Sequence, residues 1–233
     1  MPTAIVTGAS RGLGLALARA LAQRGWNLVV DARGGNALRA ATANLAASVA
    51  GTGEVVALAG DVADDAHRRE LVEAAVRLGG VDLLVNNASL LGPSPQPPLS
   101  NYPLDEFRKI YEVNVTAPLA LIQLALPVLV ESPQGAILNV TSDAGVEGYE
   151  GWGGYGSSKA ALEQLSKILA AEVPTVAVWW VDPGDMNTQM HQEAFPGEDI
   201  SDRPPPEDSV PGIIRLIEDH APSGRYQARG EQP

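Results

Sequence analysis

The sequence predicts an α/β fold: a doubly wound, seven-stranded parallel sheet with helices on both faces, in a single domain. Three observations predict it. Short β-branched runs alternate with Ala/Leu-rich helical stretches along the whole chain. Those runs are near-continuously apolar, as strands covered on both faces must be. A chain of 233 residues with 45% hydrophobic content is long enough to bury one substantial core.

In order, the strand candidates are residues 3–7, 27–31, 54–59, 81–86, 135–141, 174–181 and a weaker 224–228. Helix candidates lie near 12–24, 36–49, 64–78, 104–130, 158–172 and 207–219. Right-handed crossovers between parallel strands then wind the sheet in both directions. The domain is expected to span 1–228, with 229–233 a flexible tail. Two Pro-rich loops, about 89–103 and 184–207, follow strands at their C-terminal ends, where open α/β sheets bind ligands.

Composition narrows the function. A formal net charge of −12 argues against nucleic acid or an anionic membrane as partner, because both require clustered Lys and Arg. The chain has no cysteine, which excludes disulfides, thiolate metal sites and a cysteine nucleophile. The start, MPTAIVTGAS, lacks a basic and then apolar leader. The longest apolar run, 117–130, is interrupted by Gln123 and Pro127 and is short for a bilayer span. A cytoplasmic location is the expectation. Three scattered histidines, His67, His191 and His220, show no metal-ligand spacing, so no metal is expected. No G-x-S-x-G elbow is present.

The first strand runs into 7-TGASRGLGLALARAL-21. Gly8, Gly12 and Gly14 lie where a strand gives way to a helix, so the backbone can turn tightly and approach a pyrophosphate at the helix N-terminus. A tyrosine and a lysine, Tyr155 and Lys159, stand one helical turn apart and share a face. Free tyrosine, with a pKa of about 10, is a poor base at neutral pH. A neighbouring ammonium would favour its phenolate. Ser142 follows the strand 135–141, where its hydroxyl can orient a carbonyl or alcohol oxygen. Asn114 precedes Pro118 by four residues. Proline has no N–H to give the Asn114 carbonyl, and that free oxygen is expected to hold a water that relays protons toward Lys159.

The G-x-x-x-G-x-G spacing, together with Asp61-Val62, 86-NNAS-89, Asn114, Ser142, Tyr155-x-x-x-Lys159 and 183-PGDMNT-188 in that order, resembles the compact form of the short-chain dehydrogenase/reductase family. The resemblance covers almost the whole chain. It implies a Rossmann-type fold and a nicotinamide-dependent oxidoreductase acting on a ketone or secondary alcohol, with Asn114, Ser142, Tyr155 and Lys159 as the catalytic set. It also implies that Gly8, Ser10, Arg11, Gly12, Leu13 and Gly14 hold the dinucleotide. Asp61 and Val62, then Asn87 and Ala88, would line its adenosine side. Pro183, Gly184 and Thr188 would meet the nicotinamide and pyrophosphate, and Tyr155 and Lys159 its ribose. Ser89 replaces the family's usual final glycine, with small consequences expected.

The second strand ends 29-VVDARGG-35. By alignment Ala32 takes the place of the acid that grips the ribose of NAD, and Arg33 that of a 2′-phosphate partner, with Arg11 as a second cation. NADP(H) is favoured. Asp31 keeps NAD(H) open, because a one-residue shift of register reverses the assignment. Trp152, Tyr149, Met186, Met190 and Phe195 beside Asp143, Glu147 and Glu150 suit a partly apolar, non-anionic small molecule. The helices at 104–130 and 158–172 resemble the family's pairing surfaces, which implies a homodimer, with a homotetramer open. The alternatives are a catalytically silent nicotinamide-binding sensor or regulator, and an interaction protein on the same fold. Neither gives a reason to keep all four catalytic residues.

Overall fold

A computed structural model of the chain describes residues 1–48 and 53–230. Seven parallel strands run β1 (Thr3–Val6), β2 (Asn27–Ala32), β3 (Val55–Ala59), β4 (Leu83–Asn86), β5 (Ala136–Val140), β6 (Ala177–Asp182) and β7 (Gly224–Gln227). Their order across the sheet is β3-β2-β1-β4-β5-β6-β7. The winding reverses between β1 and β4, and the crevice beyond their C-terminal ends is where such sheets bind ligands.

Among the described residues, eight α-helices connect the strands: α1 (Gly12–Ala22), α2 (Gly35–Ser48), α3 (Asp65–Arg77), α4 (Leu104–Tyr111), α5 (Ala117–Leu129), α6 (Gly153–Glu172), α7 (Gln189–Ala194) and α8 (Val210–Glu218). Residue 49 of the helix expected at 36–49, and residues 231–233 of the expected tail, lie outside the described residues.

Alternate strand residues feed two cores, as the two-residue period of a strand requires. Val6, Val30, Val85, Leu138 and Trp179 meet Leu17 of α1 and Ile213 of α8 on one face. Ile5, Val29, Leu84, Ile137 and Val178 meet Leu71 of α3 and Leu121 of α5 on the other. Trp179 is fully buried, and its indole N–H donates to the Ala221 carbonyl at 2.8 Å. This supplies the partner a buried indole requires.

Three elements differ from the expectation, and each difference touches the site. The stretch 104–130 is divided by a π-helical turn, Glu112–Thr116, in which the Ala117 N–H donates to the Glu112 carbonyl five residues back. Pro118, which cannot donate, sits just beyond it, and the extra residue per turn brings Asn114 to a buried position. Helix α6 starts at Gly153 rather than 158, so Tyr155 lies inside the helix. Glycine is a poor helix former, which hid this start. A Cβ on Gly154 would lie 2.3 Å from the Tyr102 hydroxyl, and one on Gly156 2.6 Å from the Ala144 carbonyl, so packing demands both glycines. The loop 184–207 contains the short helix α7, capped by the Thr188 hydroxyl, which accepts the His191 N–H at 3.2 Å.

Candidate active site

The glycine loop joins β1 to α1 with φ of +68° at Gly8 and +58° at Gly12, values that favour glycine. Gly14 has no room for a side chain: a Cβ would lie 2.5 Å from Asn87 Nδ2 and 2.6 Å from the Gly8 carbonyl. Helix α1 begins with no side-chain cap and no acidic residue in its first turn. Its free N–H groups and positive dipole end therefore suit a phosphate. Leu13 turns its side chain into the core, so only its backbone faces the loop, while Ser10 is half-buried and Arg11 exposed. The Arg11 guanidinium reaches Gln189 of α7. A Cβ on Gly12 would meet only the Thr188 methyl, 3.8 Å away, so the loop and the start of α7 lie close together.

Neighbouring segments are stitched to this loop. Thr7 Oγ1 accepts the N–H groups of Asn87 and Ala88, both at 3.0 Å. Asn87 Nδ2 donates to the carbonyls of Thr7 at 2.8 Å and Gly8 at 3.3 Å. Asn87 thus braces the loop with both its side chain and its backbone N–H. Asp61 Oδ1 accepts the Ala63 N–H at 3.0 Å, while Asp64 caps α3; Asp61 is thereby not needed as a helix cap. The Val62 carbonyl accepts from Arg68 at 2.7 Å. Arg33 is exposed and, among the described residues, has no partner. Asp31 is buried and bonds the Gly8 N–H at 2.7 Å.

At the other end of the cleft, Pro183 gives its carbonyl to Ser209 at 2.8 Å and to Arg229 at 3.1 Å. Gly184 turns at φ +70° with its N–H on Asp182 at 2.9 Å. Tyr155 is buried, packed edge-on to Trp152 with ring centroids 5.8 Å apart. The hydroxyls of Ser142 and Ser89 stand beside its phenol and act to lower its pKa. Lys159 is buried on the same helix face, with Nζ 5.4 Å from the Tyr155 ring centroid and donating to the Val140 carbonyl at 2.8 Å. Ser142 Oγ accepts the Ala144 N–H at 3.2 Å and donates to Asp143 at 2.8 Å.

Asn114 is saturated by protein. Its Oδ1 accepts from Leu90 N at 2.8 Å and Ser89 Oγ at 3.2 Å, and its Nδ2 donates to the Leu90 carbonyl and Ser158 Oγ, both at 2.9 Å. Ser158 Oγ in turn bonds the Tyr155 carbonyl at 2.6 Å. The Asn114 side chain is therefore a strut between the β4 loop and α6.

Protonation differs from the expectation drawn from a neighbouring ammonium. Burial first, then the carboxylates of Asp182 and Asp143, push the Tyr155 phenol up, and the Ser142 and Ser89 hydroxyls only partly oppose them. The Lys159 ammonium is directed to a carbonyl rather than the phenol, and burial lowers it to about 8. Asp182 is itself raised by burial, despite the Gly184 N–H and Arg225. Arg225 spans Glu163 at 3.0 Å and Asp182 at 3.4 Å beneath the site.

Asp143 was expected only as part of the pocket wall, and the Asp182 charge, the Arg11–Gln189 contact and the Ser89 hydroxyl beside the phenol were not expected at all. Only the serine in 86-NNAS-89 offered a hint.

The sequence profile described as short chain dehydrogenase matches residues 2–199. Sepiapterin reductase of Meriones unguiculatus is 35% identical over 200 residues, covering 82% of this chain and 76% of that protein. A short chain dehydrogenase structure from Pseudomonas syringae superposes with a TM-score of 0.91 at 31% identity, covering 98% of this chain and 94% of its own. One from Shigella flexneri 2a strain 301, complexed with NADP, superposes at 0.89 with 27% identity, covering 98% and 97%. With its parallel seven-stranded sheet, its glycine loop and its tyrosine–lysine helix, the chain belongs to the short chain dehydrogenase family of oxidoreductases.

Proposed function

We propose that this protein is an NADP(H)-dependent carbonyl reductase or alcohol dehydrogenase that interconverts a ketone and a secondary alcohol. The observation that carries the reading is a buried phenol, Tyr155, flanked by Ser142 and Lys159 in a pocket that also holds Pro183, Gly184 and Thr188, the last beside Gly12 of the glycine loop. When bound, the nicotinamide supplies or accepts the hydride. In reduction, the phenol gives its proton to the carbonyl oxygen, and its upward-shifted pKa keeps that proton available at neutral pH. The Ser142 hydroxyl exchanges Asp143 for the substrate oxygen and orients it. Lys159 orients the cofactor ribose, and Asn114 holds the β4 loop against α6.

Gly8, Gly12, Gly14 and the backbone of Ser10, Arg11 and Leu13 hold the pyrophosphate. Asp61, Val62, Asn87 and Ala88 flank the adenosine, and Pro183, Gly184 and Thr188 the nicotinamide. Exposed Arg33, with Arg11, meets the 2′-phosphate. The likeness to an NADP-complexed relative supports the same choice. The pocket beside Tyr155 mixes Leu91, Trp152 and Met190 with Asp143, Asp182 and Asp185, which disfavours anionic substrates. Exposed Leu104, Leu119 and Ile168 on α4, α5 and α6 support pairing of two copies, and a cytoplasmic location completes the reading.

The test is oxidation of NADPH and NADH against a panel of neutral and anionic ketones, beside Tyr155→Phe. Turnover with NADPH and neutral ketones is expected, falling by at least ~100-fold in the variant with NADPH binding retained. Turnover that survives in Tyr155→Phe would overturn the mechanism. Wild type that binds NADPH yet reduces no ketone would move the reading to the sensor.

A further inference from the structure

An ion pair outside the proton-transfer site is buried at the end of β2. Asp31 is 1% exposed, and its two carboxylate oxygens have different partners. Oδ1 accepts the Gly8 N–H at 2.7 Å, and Oδ2 meets His67 Nε2 of α3 at 3.0 Å. The Asp31 carbonyl also accepts the Ala9 N–H at 2.8 Å. The phosphate loop is thus held to β2 by main chain and side chain together. Room for the imidazole is built in: a Cβ on Gly60 would lie 2.3 Å from His67 Nδ1.

We propose that Asp31 and His67 are positioning residues for the dinucleotide: the imidazole holds and neutralises the Asp31 carboxylate, so that the carboxylate fixes the Gly8 turn and a 2′-phosphorylated cofactor is admitted past an acid that would otherwise repel it. The inference rests on the NADP(H) reading. An acid at the end of β2 ordinarily reaches the ribose hydroxyls. Here both oxygens point inward, and exposed Arg33 stands two residues on. A lone buried carboxylate beside the phosphate loop would oppose every phosphate of the ligand. A paired one supplies the hydrogen bond without the net charge.

The groups acting on His67 are Asp31 from β2, Glu70 on its own helix and Asp64 at that helix's cap. They raise its pKa above 6.5, the Asp31 hydrogen bond most, against burial. The neutral pair therefore exists below that raised value and is lost as pH rises through it. By reciprocity, phosphates that bind better to the neutral pair must raise the His67 pKa further.

The chain has three histidines, so the His67 ring signal is identified in proton NMR by its loss in His67→Gln. Titrating the wild type with and without NADPH is expected to show the His67 pKa moving up on binding. In fluorescence titrations His67→Gln is expected to weaken NADPH about tenfold and NADH less, with kcat at saturating cofactor retained. The double variant Asp31→Asn/His67→Gln, which removes both charges and keeps an acceptor for Gly8, should recover most of the loss. A merely structural pair would lower Tm in both variants without that recovery.

Folded single variants that bind NADPH as wild type does, or a His67 titration indifferent to NADPH, would overturn the proposal. Should His67→Gln not fold, His67→Asn identifies the signal and the wild-type titration decides. Wild type that binds no NADPH would sink the cofactor reading and this one with it, whereas wild-type binding with unaffected variants sinks this one alone.

Discussion

The two ends of the cleft are built on different principles. At the dinucleotide end, position is set around the backbone: glycines without room for a methyl, and hydrogen bonds accepted by Thr7 and Asp31 and donated by Asn87 that hold the loop. At the proton-transfer end, the decisive groups are side chains whose ionisation is displaced. Tyr155 is pushed up, Lys159 down to about 8, and Asp182 up. A pyrophosphate keeps its charge throughout a reaction and needs only fixed donors. A proton has to move, so the groups that handle it must sit where burial and neighbours tune them. The first end should therefore be sensitive to a methyl group, with pH reaching it only in cofactor affinity through the Asp31–His67 pair, and the second to charge and pH in the chemical step itself.

Gly14→Ala is the harshest test of that difference. The new methyl would meet Asn87 Nδ2 at 2.5 Å and the backbone carbonyl of Gly8 at 2.6 Å, and the carbonyl cannot swing away. Overpacking of this kind costs about 3 kcal/mol, read as a lower Tm together with an NADPH Kd raised ~100-fold. The Tyr155 environment should be untouched, so the pH dependence of whatever activity remains keeps its shape. Normal NADPH affinity in a folded Gly14→Ala protein would break the comparison.

Lys159→Met sharpens it from the opposite end. Burial lowers this ammonium from 10.5 to about 8, so the unfolded chain holds its proton to higher pH than the native one. Stability then rises with pH between about 8 and 10.5. Below that window the buried charge costs about 3 kcal/mol, offset by about 1 kcal/mol from the hydrogen bond to the Val140 carbonyl. The methionine variant should be inactive yet more stable by about 2 kcal/mol at pH 7, with the gap closing as pH rises through the window. Chemical denaturation at pH 7 and pH 10 measures it. A variant less stable than wild type at pH 7 would show that Lys159 holds the fold together rather than burdening it.

The dinucleotide end was the more legible in sequence, because its signal is local. Gly8, Gly12 and Gly14 lie within seven residues between a strand and a helix, and the spacing is itself the geometry. Asp31 and His67 are 36 positions apart, Ser89 and Asn114 25, and Glu163 and Arg225 62. Only the sheet order brings each pair together, so neither the upward shift of Tyr155 nor the binding of Asp31 to Gly8 was readable. Pro118 pointed to a free carbonyl at Asn114 within one continuous helix, not to a π turn delivering a buried amide to the β4 loop. The start of α6 was missed because Gly154 and Gly156 answer to Tyr102 and Ala144 rather than to helix propensity.

Ser89→Gly has the smallest expected effect, and it separates charge from geometry most cleanly. The hydroxyl's one proton is given to Asn114 Oδ1 at 3.2 Å; turned to the neighbouring phenol it favours the phenolate, against the rise from burial, Asp182 and Asp143. Its removal should leave the loop in place, since Asn114 keeps its bonds to Leu90 and Ser158. The phenol pKa then rises further. In ketone reduction at pH 7 the phenol is already protonated, so kcat should change less than about twofold. In alcohol oxidation the phenol must first lose its proton, so the rate at pH 8 should fall several-fold, roughly 3–10-fold for one hydrogen bond of about 1 kcal/mol, with the acid limb of the pH profile displaced to higher pH. NADPH affinity should not move. Equal effects in the two directions would mean that Ser89 only shapes the pocket. The phenol's ionisation would then owe nothing to Ser89.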